Sequence, residues 1–248
     1  MKNLIVLIIG LATALPQSFG KNITTTLDLP QIDKLGLSIN ASVVIREGAN
    51  QSIEISGSED LIDDLNTDVE NGNWNIKYES YDYRNSDESL TIEITLNSLK
   101  TLAVSGPGSI ETKGSFSHVK RRNIALSGTG SIQFKGESDH IDIALSGDGY
   151  IDVNTQSEYI HAAVSGTGDI DLSGTAKFVN MAASGSGNIG SPKLKTERCK
   201  AAISGSSILT AEVTDDLDII VSGSGQFHYK GKPKIQKKTS NGGKIKKI

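Results

Sequence analysis

The strongest constraint on this chain is a phrase that keeps returning. Ser-Gly-x-Gly, or a near variant, begins at Ser105, Ser127, Ser146, Ser165, Ser184, Ser204 and Ser222. The intervals are 22, 19, 19, 19, 20 and 18 residues, and a degenerate copy, Ser240-Asn-Gly-Gly, follows after another 18. Self-similarity at such a period marks a repeat architecture. Aligned on that Ser, the column five residues later reads Ile110, Ile132, Ile151, Ile170, Ile189, Leu209, Phe227 and Ile245. One residue before the Ser stand Val104, Leu126, Leu145, Val164, Ala183, Ile203 and Val221. Three before stand Leu102, Ile124, Ile143, Ala162, Met181, Ala201 and Ile219. Five before, the middle copies give Ile141, Ile160, Val179, Cys199 and Leu217. Apolar residues thus fall at odd offsets, with Asp142, His161, Asn180 and Lys200 at an even one. That is period two, the signature of a strand.

Each repeat reads as a strand, a corner, a second strand and a looser return. The corners fall at Gly106, Gly128, Gly147, Gly166, Gly185, Gly205 and Gly223, because a tight bend demands a positive φ that a Cβ penalises. The unit is too short for a propeller blade and lacks the Leu and Asn spacing of a leucine-rich repeat. What remains is an all-β fold, a single-stranded parallel β-helix (β-solenoid) of about eight coils. Neighbouring coils lie about 4.8 Å apart, which turns the Ile column into an internal ladder. Parallel crossovers are right-handed by rule. A calcium-binding roll is excluded, since Gly166-Thr-Gly-Asp-Ile170 puts Ile where the metal-ligating Asp belongs.

The first twenty residues, with Lys2 and the apolar run Leu4 to Leu15, read as a secretory signal peptide too short to span a bilayer. Residues 21–100 read as a less regular β-rich cap and 101–248 as the repeat region, together one continuous domain. LSINASVVI, from Leu37 to Ile45, looks like a worn copy of the repeat with Val43 and Ile45 in inward columns. The single Cys199 cannot form an internal disulfide, so packing and hydrogen bonds must hold the fold. Lys230 to Ile248 holds eight lysines and no acid, which discourages pairing of the last strand with another chain.

Serial Ser-Gly-x-Gly-x-Ile phrases, preceded by VVIREGANQSIEISGSEDLIDDLNTDVENGNWNIKY and ending in GGKIKKI, resemble the putative auto-transporter adhesin, head GIN domain family. The resemblance covers about Leu37 to Ile248. It implies a right-handed β-helix exported by bacteria, especially Bacteroidetes, and brings no residue-level site. The copies at Ser204-Gly-Ser-Ser and Ser240-Asn-Gly-Gly depart from the phrase.

Chemistry is sparse. Asp152 and Asp171 share an outward column on adjacent coils, a candidate carboxylate pair about 5 Å apart at the backbone; it would bind a cation weakly, act as acid and base, or stand as solvated charge. His118, His140, His161 and His228 occupy different offsets, so neither a metal site nor a catalytic triad is suggested. Cys199 lies in an inward column and reads as a buried thiol. Trp74, Tyr78, Tyr81 and Tyr83 fall within ten residues; their faces would suit a sugar or a protein, or would pack the cap. An external stripe of Ala103, Ala125, Ala144, Ala163, Ala182 and Ala202 would admit another sheet, or mark a bend where only Ala fits.

The expectation is a non-enzymatic exported module acting by surface contact, adhesin-like or bound to the cell envelope, with glycan or envelope protein as partner. No cofactor, metal or nucleic acid is expected, and no transmembrane segment after signal cleavage. Periplasm, outer-membrane surface and extracellular space all remain open. The alternatives are a polysaccharide lyase or hydrolase using Asp152 and Asp171, and a periplasmic structural or assembly protein.

Overall fold

The computed structural model describes residues 21–80, 88–240 and 242–248. The signal peptide expected at 1–20 lies outside the described residues. The chain begins with strands β1 (Asn22–Thr26), β2 (Lys34–Leu37), β3 (Ala41–Glu47) and β4 (Ser52–Ser58), then a single-turn helix α1 (Glu59–Asp63). Strands β5 (Val69–Glu70), β6 (Asn73–Ile76), β7 (Leu90–Leu96), β8 (Thr101–Ser105) and β9 (Ser109–Lys113) follow. The repeats then form long bent strands: β10 (Phe116–Gly128), β11 (Ser131–Gly147), β12 (Tyr150–Gly166), β13 (Asp169–Gly185), β14 (Asn188–Gly205) and β15 (Ile208–Gly223). Strands β16 (Gln226–Gly231), β17 (Lys234–Ser240) and β18 (Lys244–Lys247) close the chain.

Successive repeats pair in parallel, like residue on like residue, as a β-solenoid. Ile132 pairs with Ile151, Ile151 with Ile170 and Ile170 with Ile189, and the column goes on to Leu209 and Phe227. All six are buried, as are the columns led by Leu102 and Val104. One hydrophobic core runs from Ile32 to Phe227. Each buried aliphatic of that size adds roughly 1.5–3 kcal/mol of favourable transfer, so the ladder fixes the register from rung to rung. The 20-residue repeat absorbs its extra residue where β14 slips against β13, between Asp171 and Ser173.

The corner glycines carry positive φ, from +98° at Gly223 to +132° at Gly106. A second requirement holds them. A Cβ on Gly166 would sit 2.5 Å from the carbonyl oxygen of Gly147 on the rung before, so corner stacks on corner with no room for a side chain. The departing copy keeps this arrangement. Gly205 retains φ +125°, and Ser207, where other copies have Gly, is buried and donates to the Gly185 carbonyl oxygen at 3.3 Å.

The cap contributes rungs of its own. Leu37 pairs with Val104 and Val43 with Ile110, so Leu37–Ile45 is the worn copy its sequence suggests. β6 and β7 form a further rung beneath it, in parallel with β2 and β3. The rung of β2 and β3 therefore lies between a rung made later in the chain and the first repeat. Beyond β7 the sheet continues antiparallel through β4 to β1.

Among the buried polar residues described, Arg122 is the one that carries a charge. Arg122 pairs in register with Ile141 and is fully buried. Its guanidinium lies 4.5 Å from the Phe134 ring centroid, and Nη2 donates to the carbonyl oxygens of Ser117 and Glu137 at 3.2 and 3.3 Å. Burial pulls its pKa down to about 10, with Glu47 acting the other way.

Candidate functional site

One face of the solenoid is built from the strand that ends each repeat at its Ser. Odd offsets point inward, so even offsets must face solvent. On that outer surface Ala103 stacks on Ala125, Ala125 on Ala144, Ala144 on Ala163, Ala163 on Ala182 and Ala182 on Ala202. Ile220 completes the column. The Ser column from Ser105 to Ser222 runs beside it, two residues along each strand. Together they line an elongated groove of about 870 Å³. Six rung spacings separate Ala103 from Ile220, a length of about 29 Å.

Packing does not dictate alanine here. Ile220 occupies the same column on the last of these rungs and is 51% exposed, so a larger residue is accommodated there, and alanine keeps the groove open on the other six. The floor also offers few hydrogen bonds, because the strand backbones beneath it are engaged rung to rung.

The aromatic cluster is a correction. Trp74 is fully buried and its Nε1 donates to the Asn66 carbonyl oxygen at 3.0 Å. Tyr78 is buried too, and burial, then Asp64 and Glu88, push its hydroxyl up to about 12. Neither ring presents a face to a ligand, because both continue the inward alternation of β6. Tyr81 and Tyr83 lie outside the described residues.

A different aromatic row does reach the surface. His140 stacks on Tyr159 at 4.8 Å with 4° between planes, and Tyr159 leans on Phe178 at 5.9 Å. The Arg198 guanidinium lies 6.0 Å from the Phe178 centroid. His140 and Tyr159 cover one another's facing sides, while Phe178 is tilted 49° to Tyr159, which is 44% exposed.

Asp152 and Asp171 stand side by side in register. The Tyr150 hydroxyl donates to Asp171 Oδ2 at 2.8 Å. Burial, then Asp171, raises the Asp152 carboxyl above its ordinary value, while Lys193 lowers it. A carboxyl raised in the folded state weakens the fold above that value, and the penalty fades as pH falls through it. Asp152→Asn will therefore raise the melting temperature slightly at neutral pH. The gain, below about 1 kcal/mol at this half-exposed site, will vanish below the unfolded carboxylate value of about 3.9. Thermal melts at neutral and acid pH read this directly; an equal shift at both would show that charge is not the cause.

The groove is lined by neither Asp152 nor Asp171. Among the described residues, no three His, Cys, Asp or Glu side chains are placed to hold a metal ion. Cys199 is buried, and burial pushes its thiol up to about 12, out of range of a nucleophile at neutral pH. No described helix is long and apolar enough to cross a membrane.

Comparison with known proteins adds a family and a fold. The family model described as putative auto-transporter adhesin, head GIN domain, matches residues 32–233. A crystal structure of a putative lipid binding protein from Parabacteroides distasonis superposes with a TM-score of 0.82 at 23% identity, covering 92% of this chain and 97% of that one. A putative adhesin from Parabacteroides merdae gives 0.84 at 19% identity, covering 92% and 97%. A putative adhesin from Bacteroides fragilis gives 0.68 at 20%, again covering 92% and 97%. At these identities the likeness is one of fold. The search of curated proteins finds no match.

Proposed function

The chain belongs to the putative auto-transporter adhesin, head GIN domain family, and on that premise we propose that it is an exported, non-enzymatic module acting by contact. Its contact surface is the alanine groove, and the groove takes a hydrocarbon chain. The observation that carries this reading is that alanine occupies the outward column on six successive rungs and lines an apolar groove, giving way to the exposed Ile220 only on the seventh. A peptide laid there finds the floor backbone already bonded. A sugar finds hydroxyls along the Ser column only and none on the alanines. A flat second sheet meets a concave surface. An acyl chain needs none of these and gains by leaving water. The description of one structural neighbour as a putative lipid binding protein agrees with the reading. Export rests on the leader expected at residues 1–20.

Displacement of a polarity-sensitive fluorescent fatty acid tests it. The protein will bind the probe, and Ala144→Gln with Ala163→Gln, which raises polar side chains from the groove floor, will weaken binding at least about tenfold, or roughly 1.4 kcal/mol. Full binding by the double variant sinks the groove as the site.

A second reading survives on the pairing of Asp152 with Asp171, one carboxyl raised and the other held by Tyr150. Two carboxylates with unlike environments suit acid–base work on a glycosidic bond. Release of reducing or unsaturated sugar ends, lost on changing both to Asn, would establish it in place of the first.

A further inference from the structure

We propose that the groove and a second cavity beside it form one site, for an anionic single-chain lipid. This rests on the hydrocarbon reading of the groove and adds a headgroup class and a direction. The second cavity, of about 370 Å³, is lined by Arg198, Lys200 and Lys234 together with Asp216 and Asp218. Lys200 lies two residues before Ala202 on the outward side of β14, about 6.6 Å away along the strand. The charged cavity therefore borders the last alanine of the groove.

The charge balance points to an anion. Three cations face two carboxylates, and none of the three takes part in an ion pair among the described residues. The far end of the groove differs. There Lys34 donates to the Asn71 carbonyl oxygen at 2.9 Å and Lys100 pairs with Asp33 at 2.6 Å, which leaves Lys77 as the exposed cation of that end outside any ion pair among the described residues, against three at the near end. The polarity follows: headgroup at Arg198, Lys200 and Lys234, tail running over Ala202 toward Ala103. One alanine column between neighbouring outward columns leaves width for one chain.

Titration of the purified protein with palmitate, lysophosphatidic acid and uncharged monopalmitoylglycerol, read by displacement of the fluorescent fatty acid, tests the inference. The two anionic lipids will bind roughly tenfold or more tighter than the neutral one at low ionic strength, and added salt will narrow the gap. The triple variant Arg198→Gln, Lys200→Gln, Lys234→Gln will remove the preference while leaving monopalmitoylglycerol affinity unchanged. The three positions are exposed, and a melting curve matching the natural sequence shows the variant folded. Equal affinity for charged and neutral lipids, or a preference that survives the triple variant, overturns the headgroup assignment and leaves the groove reading standing. Failure of all three lipids to bind overturns both.

Discussion

Valine in place of Gly166 will cost the fold at least about 3 kcal/mol and open the repeats around it. Two penalties combine at that corner. The backbone holds φ +124°, a region that L residues rarely enter and a β-branched one least of all. The new Cβ would also sit 2.5 Å from the carbonyl oxygen and 3.0 Å from the nitrogen of Gly147. Backbone cannot swing aside as a side chain can, so the rung spacing itself must widen. Gly114 separates the two effects. It has φ +87° but nothing within 4 Å of a Cβ, so Gly114→Val will carry only the backbone strain, about 1–3 kcal/mol. Urea unfolding of both variants, with limited proteolysis to locate the opening, gives the comparison. Equal losses would mean that stacking of corner on corner is not what the glycines serve.

The second large effect concerns assembly. On the last rung the inward columns end in Lys237, paired with Ile219, and Lys247, paired with Tyr229. Both are exposed, and beside them Ile235 and Ile248 are 39% and 52% exposed. Inward-pointing lysines at an edge make pairing with another chain expensive, since the charge would have to be buried. Lys237→Ile with Lys247→Val extends the aliphatic columns to the open end and removes that barrier. The double variant will associate more strongly than the natural sequence, through the end whose inward columns it extends. Contact between like ends closes on itself, so the product will be a two-fold dimer and not a fibre. Sedimentation equilibrium over a range of concentrations distinguishes the two. An unchanged mass would show that the lysines do not guard the end.

Much of this architecture was legible because it repeats. Period-two alternation placed Ile151, Ile170 and Ile189 inward and Ala144, Ala163 and Ala182 outward, and the corner glycines lie where a positive φ was required. The same rule, carried into the cap, would have buried Trp74. Trp74, Ile76 and Tyr78 alternate with Asn73, Asn75 and Lys77, which favours packing of the cap among the two readings of the cluster. Arg122 escaped because its column is uncharged in every repeat that defined it. The order of the cap rungs left no periodic trace, since two of them surround an antiparallel excursion. Arg198, Lys200 and Lys234 fall in two columns and on rungs two repeats apart, so only stacking brings them to one cavity.

The layering of the cap also decides where the chain tolerates shortening. Loss of turns from the carboxyl end leaves a shorter column with its foundation intact. Removal of residues 73–96 instead strips the floor from under β2 and β3, whose lower edge is paired with nothing else in parallel. The column is thus built on a base laid out of order, and its height can vary from one end only.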